Sequence, residues 1–260
     1  MSIDDKFIGH EGFTILSNGD TGRIAMMVES CKSQEVSEAI SLFGSDLHKV
    51  KSISCDMAAG YLLVCSEQFP AAKVVVDKFH VMQYVYDAVL DVRTRIKKEL
   101  SSLLSKGKVK TQEDKQILAK LDLLKYCRYR LTQSVEKWSQ AGKEVKEQVF
   151  ACHTELKTAY DLTQSFKQWY GKNNCSKAKS QIVEELSEWY AKVKNADLDE
   201  FKSVVKRIQK HEYEILNYFI CAQTNAKAER LNGKINRFLS NNFGIKDKDF
   251  ALYRTALYFS

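Results

Sequence analysis

The first third of the chain carries short apolar, β-branched runs that predict strands. Two such runs, 13–16 and 24–28, flank a polar Ser-Asn-Gly-Asp-Thr-Gly tract at 17–22, which favours a tight hairpin turn. A helical pattern follows at 33–43, where apolar residues recur on one face. These patterns predict an antiparallel hairpin followed by a helix.

Two further strands are predicted at 50–55 and 73–76, with a helical segment at 58–67 between them. Each strand is followed by an acidic residue, Asp56 or Asp77. Carboxylates at the carboxyl ends of neighbouring strands lie where open α/β sheets build ligand sites, and beside the positive ends of the following helices. This arrangement suits a divalent metal ion and a phosphate group. Because Asp is also a common N-cap, capping of the following helix is the alternative role for Asp56.

The pattern changes to long helices between about residues 80 and 219, where apolar residues recur every three or four positions. The only proline of the chain is Pro70, so no proline interrupts these helices. Three tryptophans in this region are predicted to anchor the packing, with stacking on an unpaired base as the alternative. They are Trp138, Trp169 and Trp189.

Composition narrows the class of protein. A hydrophobic content of 44% is typical of a globular chain. The sequence contains neither a run of 18 apolar residues nor a signal-like N-terminus, so we expect neither a membrane span nor secretion. The seven cysteines are scattered without a C-x-x-C pair, which disfavours a zinc or redox site and is typical of a reducing cytosol.

The net charge of +7 is concentrated in two basic clusters, at 93–110 and 227–248. An enzyme that processes phosphodiesters needs positive charge to hold the backbone beside carboxylates that hold metal. For any single lysine, a solvated helix face is the alternative.

Motifs in the middle and near the end of the chain carry a resemblance to a known family. The pattern D-M…Y…F-P-x-A…D-x-F-H is followed near the end by N-x-x-x-E-x-x-N-x-x-I-K, which the chain matches as far as Ile235, and Ile3-Asp4-Asp5 is similar to an opening I-D-E strand. Together they resemble the catalytic domain of bacterial DDE insertion-sequence transposases of the ISL-three type, which are ribonuclease-H-like. The matching positions are Asp56-Met57, Tyr61, Phe69-Pro70-Ala71, Asp77, Phe79-His80, Asn225, Glu229, Asn232, Ile235, Asn242-Phe243-Gly244 and Arg254.

The resemblance implies an α/β fold: a ribonuclease-H-like core with a large all-helical insertion between the second and third catalytic carboxylates. We expect the first part of the core at 1–80 and the helical insertion at 81–220. A C-terminal helical part of the core, carrying the catalytic glutamate, is expected at 221–260.

The resemblance also implies a site. Asp4, Asp56 and Glu229 are the expected catalytic residues and metal ligands, holding two Mg²⁺ (or Mn²⁺) ions about 4 Å apart. The implied reaction is DNA strand cleavage that frees a 3′-hydroxyl, followed by attack of that hydroxyl on target DNA. Second-choice site residues are Asp5, Asp77 and His80. The expected DNA-binding residues are Arg93, Arg230, Lys234, Arg237 and Arg254, with a buried ion pair as the alternative for Arg93 and Arg254.

The implied partner is DNA, as transposon ends and as target, with a homodimer on DNA as a further expectation. A prokaryotic, cytoplasmic and nucleoid-associated protein is expected. Members of the family carry an N-terminal DNA-recognition region that this sequence does not match. The alternative function is therefore a truncated or domesticated transposase fragment that acts as a non-catalytic DNA-binding or regulatory protein.

Overall fold

The computed structural model divides the chain into two compact units. The first comprises residues 1–80 and 211–260, and the second comprises residues 81–210. No helix within the described residues is long and apolar enough to cross a membrane. The described residues are 1–8, 10–104, 111–221, 226–241 and 247–260, and the side chains of 8, 135, 172, 173, 226–229 and 248 are not described.

A mixed five-stranded sheet forms the centre of the first unit. Its order is β3-β2-β1-β4-β5, in which β1, β2 and β3 pair antiparallel while β4 pairs parallel to both β1 and β5. The predicted hairpin and the two later strands are therefore confirmed. The strands are β1 (Ser2–Ile8), β2 (Glu11–Asn18), β3 (Arg23–Val28), β4 (Ser52–Cys55) and β5 (Lys73–Val76).

Helices account for most of the remaining chain. Short 3-10 helices lie at Gly44–Lys49, Val135–Lys137 and Lys172–Ser176. The α-helices are α1 (Ser33–Ser41), α2 (Ala59–Gln68), α3 (Lys78–Ser102), α4 (Gln112–Cys127), α5 (Gln140–Cys152), α6 (Thr154–Trp169), α7 (Lys179–Ala196), α8 (Asp199–Lys210), α9 (Glu212–Cys221), α10 (Ala226–Asn241) and α11 (Lys248–Phe259).

The two faces of the sheet pack against different helices, because successive strand residues point to opposite faces. One face packs against α1 and α2, where Ile3 and Leu16 share a buried cluster with Val36. The other carries Phe13 and Ile15 of β2, which pack with Leu231 and Ile235 of α10. Asp4 is the cross-strand partner of Ile15, so its position in β1 belongs to the face that α10 covers.

Helix α9 also belongs to the first unit. Its buried Asn217 donates from Nδ2 to the main-chain oxygen of Val74 in β5, at 2.8 Å. The helical insertion was expected at 81–220. The compact second unit comprises 81–210, and the helical residues 212–221 belong to the first unit. The hydrogen bond from Asn217 ties the later residues to the sheet.

Aromatic side chains fill the core of the second unit. Trp138, Trp169 and Trp189 are all buried, which confirms their predicted role as packing anchors. The indole N–H groups of Trp169 and Trp189 donate to main-chain oxygens of Ile182 and Leu162, each at 3.0 Å. At Trp169 and Trp189, a buried ring therefore also has its polar group hydrogen-bonded.

A cluster of ion pairs joins three helices of the second unit. Arg95 of α3 pairs with Glu155 of α6 at 2.5 Å and with Glu200 of α8 at 2.9 Å. The Glu200 side chain is only 17% exposed, so removal of Arg95 leaves a partly buried carboxylate without its cation.

We expect Arg95→Met to lower the free energy of unfolding by about 1 kcal/mol, because networked pairs contribute more than isolated surface pairs. Urea denaturation measures this change. Lys157→Met is the matched control, since the side chains of Lys157 and Asp161 are both 56% exposed in a single i,i+4 pair. The control should change stability by less than about 0.5 kcal/mol. Equal effects of the two substitutions would contradict the network assignment.

Candidate active site

Asp4 is held by three donors on the α10 side of β1. Its Oδ2 accepts from Lys6 Nζ at 2.7 Å and from Asn232 Nδ2 at 2.6 Å, and its Oδ1 accepts from the Asp5 main-chain N–H at 3.0 Å. Lys6 follows Asp4 by two positions in the same strand, which puts both residues on one face. The carboxylate therefore has a fixed orientation, set by its own strand and by α10.

Asp56 follows β4 directly, at the position that the sequence indicated. Its Oδ1 accepts from the Ala58 main-chain N–H at 2.8 Å. Ala58, and not Asp56, is the N-cap of α2, so the capping alternative for Asp56 is wrong. In the parallel pairing of β1 with β4, Ser2 is opposite Ser54. Asp4 in β1 and Asp56 after β4 each lie two residues beyond that pair, on neighbouring parallel segments of the sheet.

The Asp56 carboxyl lies in a negative environment. Burial raises its pKa above the usual range, and the charges of Asp5 and Asp4 raise it further. The Ala58 N–H and His80 lower it. Clustered carboxylates of this kind favour a bound cation, and carboxylate oxygen is the ligand type that Mg²⁺ prefers. The oxygen donors of Asp4 and Asp56 are therefore of the chemical type that a divalent metal ion binds.

Asp5 points to the face opposite Asp4. Its Oδ1 accepts from Thr14 Oγ1 at 3.0 Å and from the Tyr61 hydroxyl. Thr14 and Tyr61 are buried, and burial, followed by the hydrogen bond to Asp5, raises the pKa of Tyr61. Asp5 thus joins β1 to β2 and α2, although its charge also acts on Asp56. These contacts favour a structural role for Asp5.

Asp77 and His80 lie where β5 leads into α3. Asp77 Oδ1 accepts from the Phe79 main-chain N–H at 2.8 Å, so its side chain binds the first turn of α3, which begins at Lys78. The His80 ring makes an edge contact with Phe79, with 5.8 Å between the ring centroids. Because its charge lowers the pKa of Asp56, His80 lies within electrostatic reach of that carboxyl.

The third expected carboxylate, Glu229, lies on the backbone of α10, three positions before Asn232. Its side chain is outside the described part of the chain, as is Asn225. Among the described side chains, no group of three His, Cys, Asp or Glu residues could hold a metal ion. Convergence of Asp4, Asp56 and Glu229 therefore stays a prediction.

The expected DNA-binding residues fall into two environments. Arg230, Lys234 and Arg237 are exposed on α10, while Leu231 and Ile235 of the same helix are buried. This helix therefore presents a basic stripe to solvent, as its sequence predicts. In the two basic clusters at 93–110 and 227–248, several lysines lie outside the described part of the chain: Lys106, Lys108, Lys110 and Lys246, and the side chains of Lys227 and Lys248.

Arg93 and Arg254 differ from that stripe. Arg93 is 6% exposed inside the second unit, where its Nε donates to the Leu124 main-chain oxygen at 2.6 Å and burial lowers its pKa. This packing argues against a contact with a DNA backbone, and the described acceptor is a carbonyl rather than an acidic partner. Arg254 of α11 lies over the rings of Phe238 and Phe250, at 5.6 and 5.8 Å.

Two contacts at Asp4 were missed by the sequence analysis. Lys6 could have been found, because a residue two positions along a strand shares a face with its neighbour. The contact with Asn232 spans 228 residues of chain, and no local pattern indicates it.

Comparison with known proteins agrees with the motifs. The sequence model of the ISL3-type DDE family, described as Transposase, matches residues 1–257. No curated protein and no solved structure matches the chain.

Proposed function

Because the chain belongs to the ISL3-type DDE transposase family, we propose that it cuts and joins DNA strands in a metal-dependent reaction during transposition. One observation carries this proposal. Asp4 and Asp56 occupy matched positions on neighbouring parallel segments of the sheet, and Asn232 of α10 donates a hydrogen bond to Asp4. The proposed site needs two aspartates from the sheet and Glu229 from α10. The hydrogen bond between Asn232 and Asp4 brings that helix to the sheet.

The proposed fold is a ribonuclease-H-like core. Its support is the strand order β3-β2-β1-β4-β5, with three antiparallel strands followed by two parallel ones. We further propose that the helical unit at 81–210 is an insertion between Asp56 and Glu229. This limit is ten residues shorter than the predicted one, because α9 packs on β5.

In the proposed site, Asp4, Asp56 and Glu229 would hold two divalent ions, Mg²⁺ or Mn²⁺. When bound, such ions activate an attacking oxygen and stabilise a leaving one in phosphodiester chemistry. Asn232 positions Asp4 by holding Oδ2, and Glu229 lies one helical turn before it on α10. Packing of α10 against the sheet would therefore orient the Asp4 carboxylate and also bring the Glu229 carboxylate to the site.

Other residues of the first unit have supporting roles in this proposal. Lys6 balances part of the negative charge at Asp4, and the Ala58 N–H fixes the orientation of Asp56. Arg230, Lys234 and Arg237 hold the DNA backbone as phosphate contacts. No protein nucleophile is required, because water or a DNA hydroxyl attacks the phosphorus.

The alternative, a non-catalytic DNA-binding or regulatory fragment, has no observation in its favour. The family match extends over residues 1–257, and both strand-borne aspartates are held in ordered hydrogen bonds. A homodimer on DNA stays a prediction.

Metal dependence tests the proposal through two readouts. Supercoiled plasmid should be nicked with Mg²⁺ or Mn²⁺ and left intact in EDTA. Independently of activity, Mn²⁺ should raise the melting temperature of the protein, because a ligand that binds only the folded state stabilises it. Nicking that persists in EDTA would contradict the proposal, as would a melting temperature that Mn²⁺ leaves unchanged.

A further inference from the structure

A cleft of about 380 Å³ lies in the first unit, on the cation-bearing side of α10. The turn between β2 and β3 forms one wall, α10 forms another, and the end of α11 closes it. Its lining includes Arg23 at the start of β3, Arg230 and Lys234 of α10, and Tyr258 of α11. None of the carboxylates discussed above lines it.

The local chain builds the cationic walls of this cleft. In the turn, the Asn18 side chain accepts from the Asp20 and Thr21 main-chain N–H groups at 2.8 and 3.2 Å. Gly22 has a φ of 72°, a left-handed conformation that favours glycine and brings the chain into Arg23. On α10, Arg230 and Lys234 are four positions apart and therefore share one side of the helix.

The cleft is suited to an anion. In the described part of the chain, no Asp or Glu side chain lines it, and Arg23, Arg230 and Lys234 make no ion pair. All three cations are exposed. Three unpaired cations around a small cavity attract a phosphate group strongly.

An aromatic ring adds a second recognition element. Tyr258 is 71% exposed, and its ring stacks on Phe238 with 5.2 Å between centroids and an interplanar angle of 22°. Cations that contact the backbone and rings on which bases stack are the combination found in single-stranded nucleic-acid sites. Paired bases inside a duplex do not offer their faces to a ring, so the combination favours an unpaired nucleotide.

We propose that this cleft binds one unpaired nucleotide of DNA, with its phosphate held by Arg23, Arg230 and Lys234 and its base against Tyr258. This assignment rests on the proposed function, since it takes DNA as the substrate. It extends the basic stripe of α10 to Arg23 and Tyr258, two residues outside the family motifs. DNA with an unpaired segment would thereby be held more tightly than an uninterrupted duplex.

Fluorescence anisotropy in EDTA tests the cleft apart from metal binding and cleavage. The probes are a duplex with a single-stranded tail and a blunt duplex of equal length. Arg23→Gln and Tyr258→Ala should each weaken binding of the tailed probe about tenfold, and binding of the blunt probe less than about twofold. Both variants replace exposed side chains, and a thermal melt verifies that they fold.

Two matched controls lie on the same helices and outside the cleft lining. Arg237→Gln removes the same charge from α10 and should weaken both probes alike. Tyr253→Ala removes another exposed ring from α11 and should change the affinity for neither probe.

Equal losses for both probes in Arg23→Gln, or no loss in Tyr258→Ala, would overturn the assignment. Competition with inorganic phosphate is a further test. If phosphate displaces the tailed probe completely, and Tyr258→Ala binds that probe with normal affinity, the cleft is a simple phosphate site and the assignment is wrong. Failure of the metal-dependent nicking experiment would leave all these binding results unaffected. The two proposals can therefore fail separately.

Discussion

Asp56→Asn is expected to reduce metal-dependent DNA nicking by about a thousandfold while leaving DNA affinity within about twofold of the original. Loss of a carboxylate ligand removes several kcal/mol of transition-state stabilisation, and each 1.4 kcal/mol is a factor of ten in rate. The fold should persist, because an Asn oxygen can still accept from the Ala58 N–H. Nicking of supercoiled plasmid gives the rate, and anisotropy in EDTA gives the affinity.

Two other carboxylates supply matched controls. Asp77→Asn makes the same chemical change after the neighbouring strand β5 and keeps the acceptor for the Phe79 N–H. Asp5→Asn alters the buried contacts with Thr14 and Tyr61 instead. The first should nick normally, and the second should lower stability more than rate. Normal nicking by Asp56→Asn, or a thousandfold loss in Asp77→Asn, would contradict the assignment of ligands.

Reversal of Arg230, Lys234 and Arg237 to Glu together should weaken binding to all duplex sequences alike. These residues are exposed on α10, so the substitutions disturb no buried contact, and Glu forms helices as readily as Arg and Lys. Each phosphate contact contributes about 0.9 to the slope of log affinity against log salt. The triple variant should therefore show a slope smaller by about 2.7 in a salt titration.

A matched reversal in the second unit controls for net charge. Lys179, Lys192 and Lys194 are exposed on α7, and their replacement by Glu changes the charge by the same amount. This control should retain most of the slope. Retention of the full slope by the α10 variant would contradict the phosphate contacts, as would a loss of affinity confined to one short sequence.

Local patterns predicted the parts of the fold that local chemistry determines. The hairpin between β2 and β3 follows from its polar turn and the apolar runs on either side, and Asp56 was placed correctly after β4 because an apolar run with polar interruptions ends there. The long helices were equally predictable from apolar spacing. Each of these features depends on residues that are neighbours in the chain.

Long-range contacts were not predictable in the same way. The bond between Asn232 and Asp4 requires α10 to cover one face of the sheet, which no single segment specifies. The sequence left a DNA contact and a buried ion pair open for Arg93. The residue is buried, and the packing of α3 against α4 gives it the main-chain oxygen of Leu124 as acceptor. Charge alone does not distinguish a buried cation from an exposed one.

The central claim is that Asp4, Asp56 and Glu229 bind metal together. Anomalous diffraction from crystals soaked in Mn²⁺ tests it most directly, because it locates the ions and their ligands without any assay. The account predicts Mn²⁺ coordinated by carboxylate oxygens of all three residues. Mn²⁺ bound elsewhere, or Glu229 turned away from an ion held by the two aspartates, would contradict it.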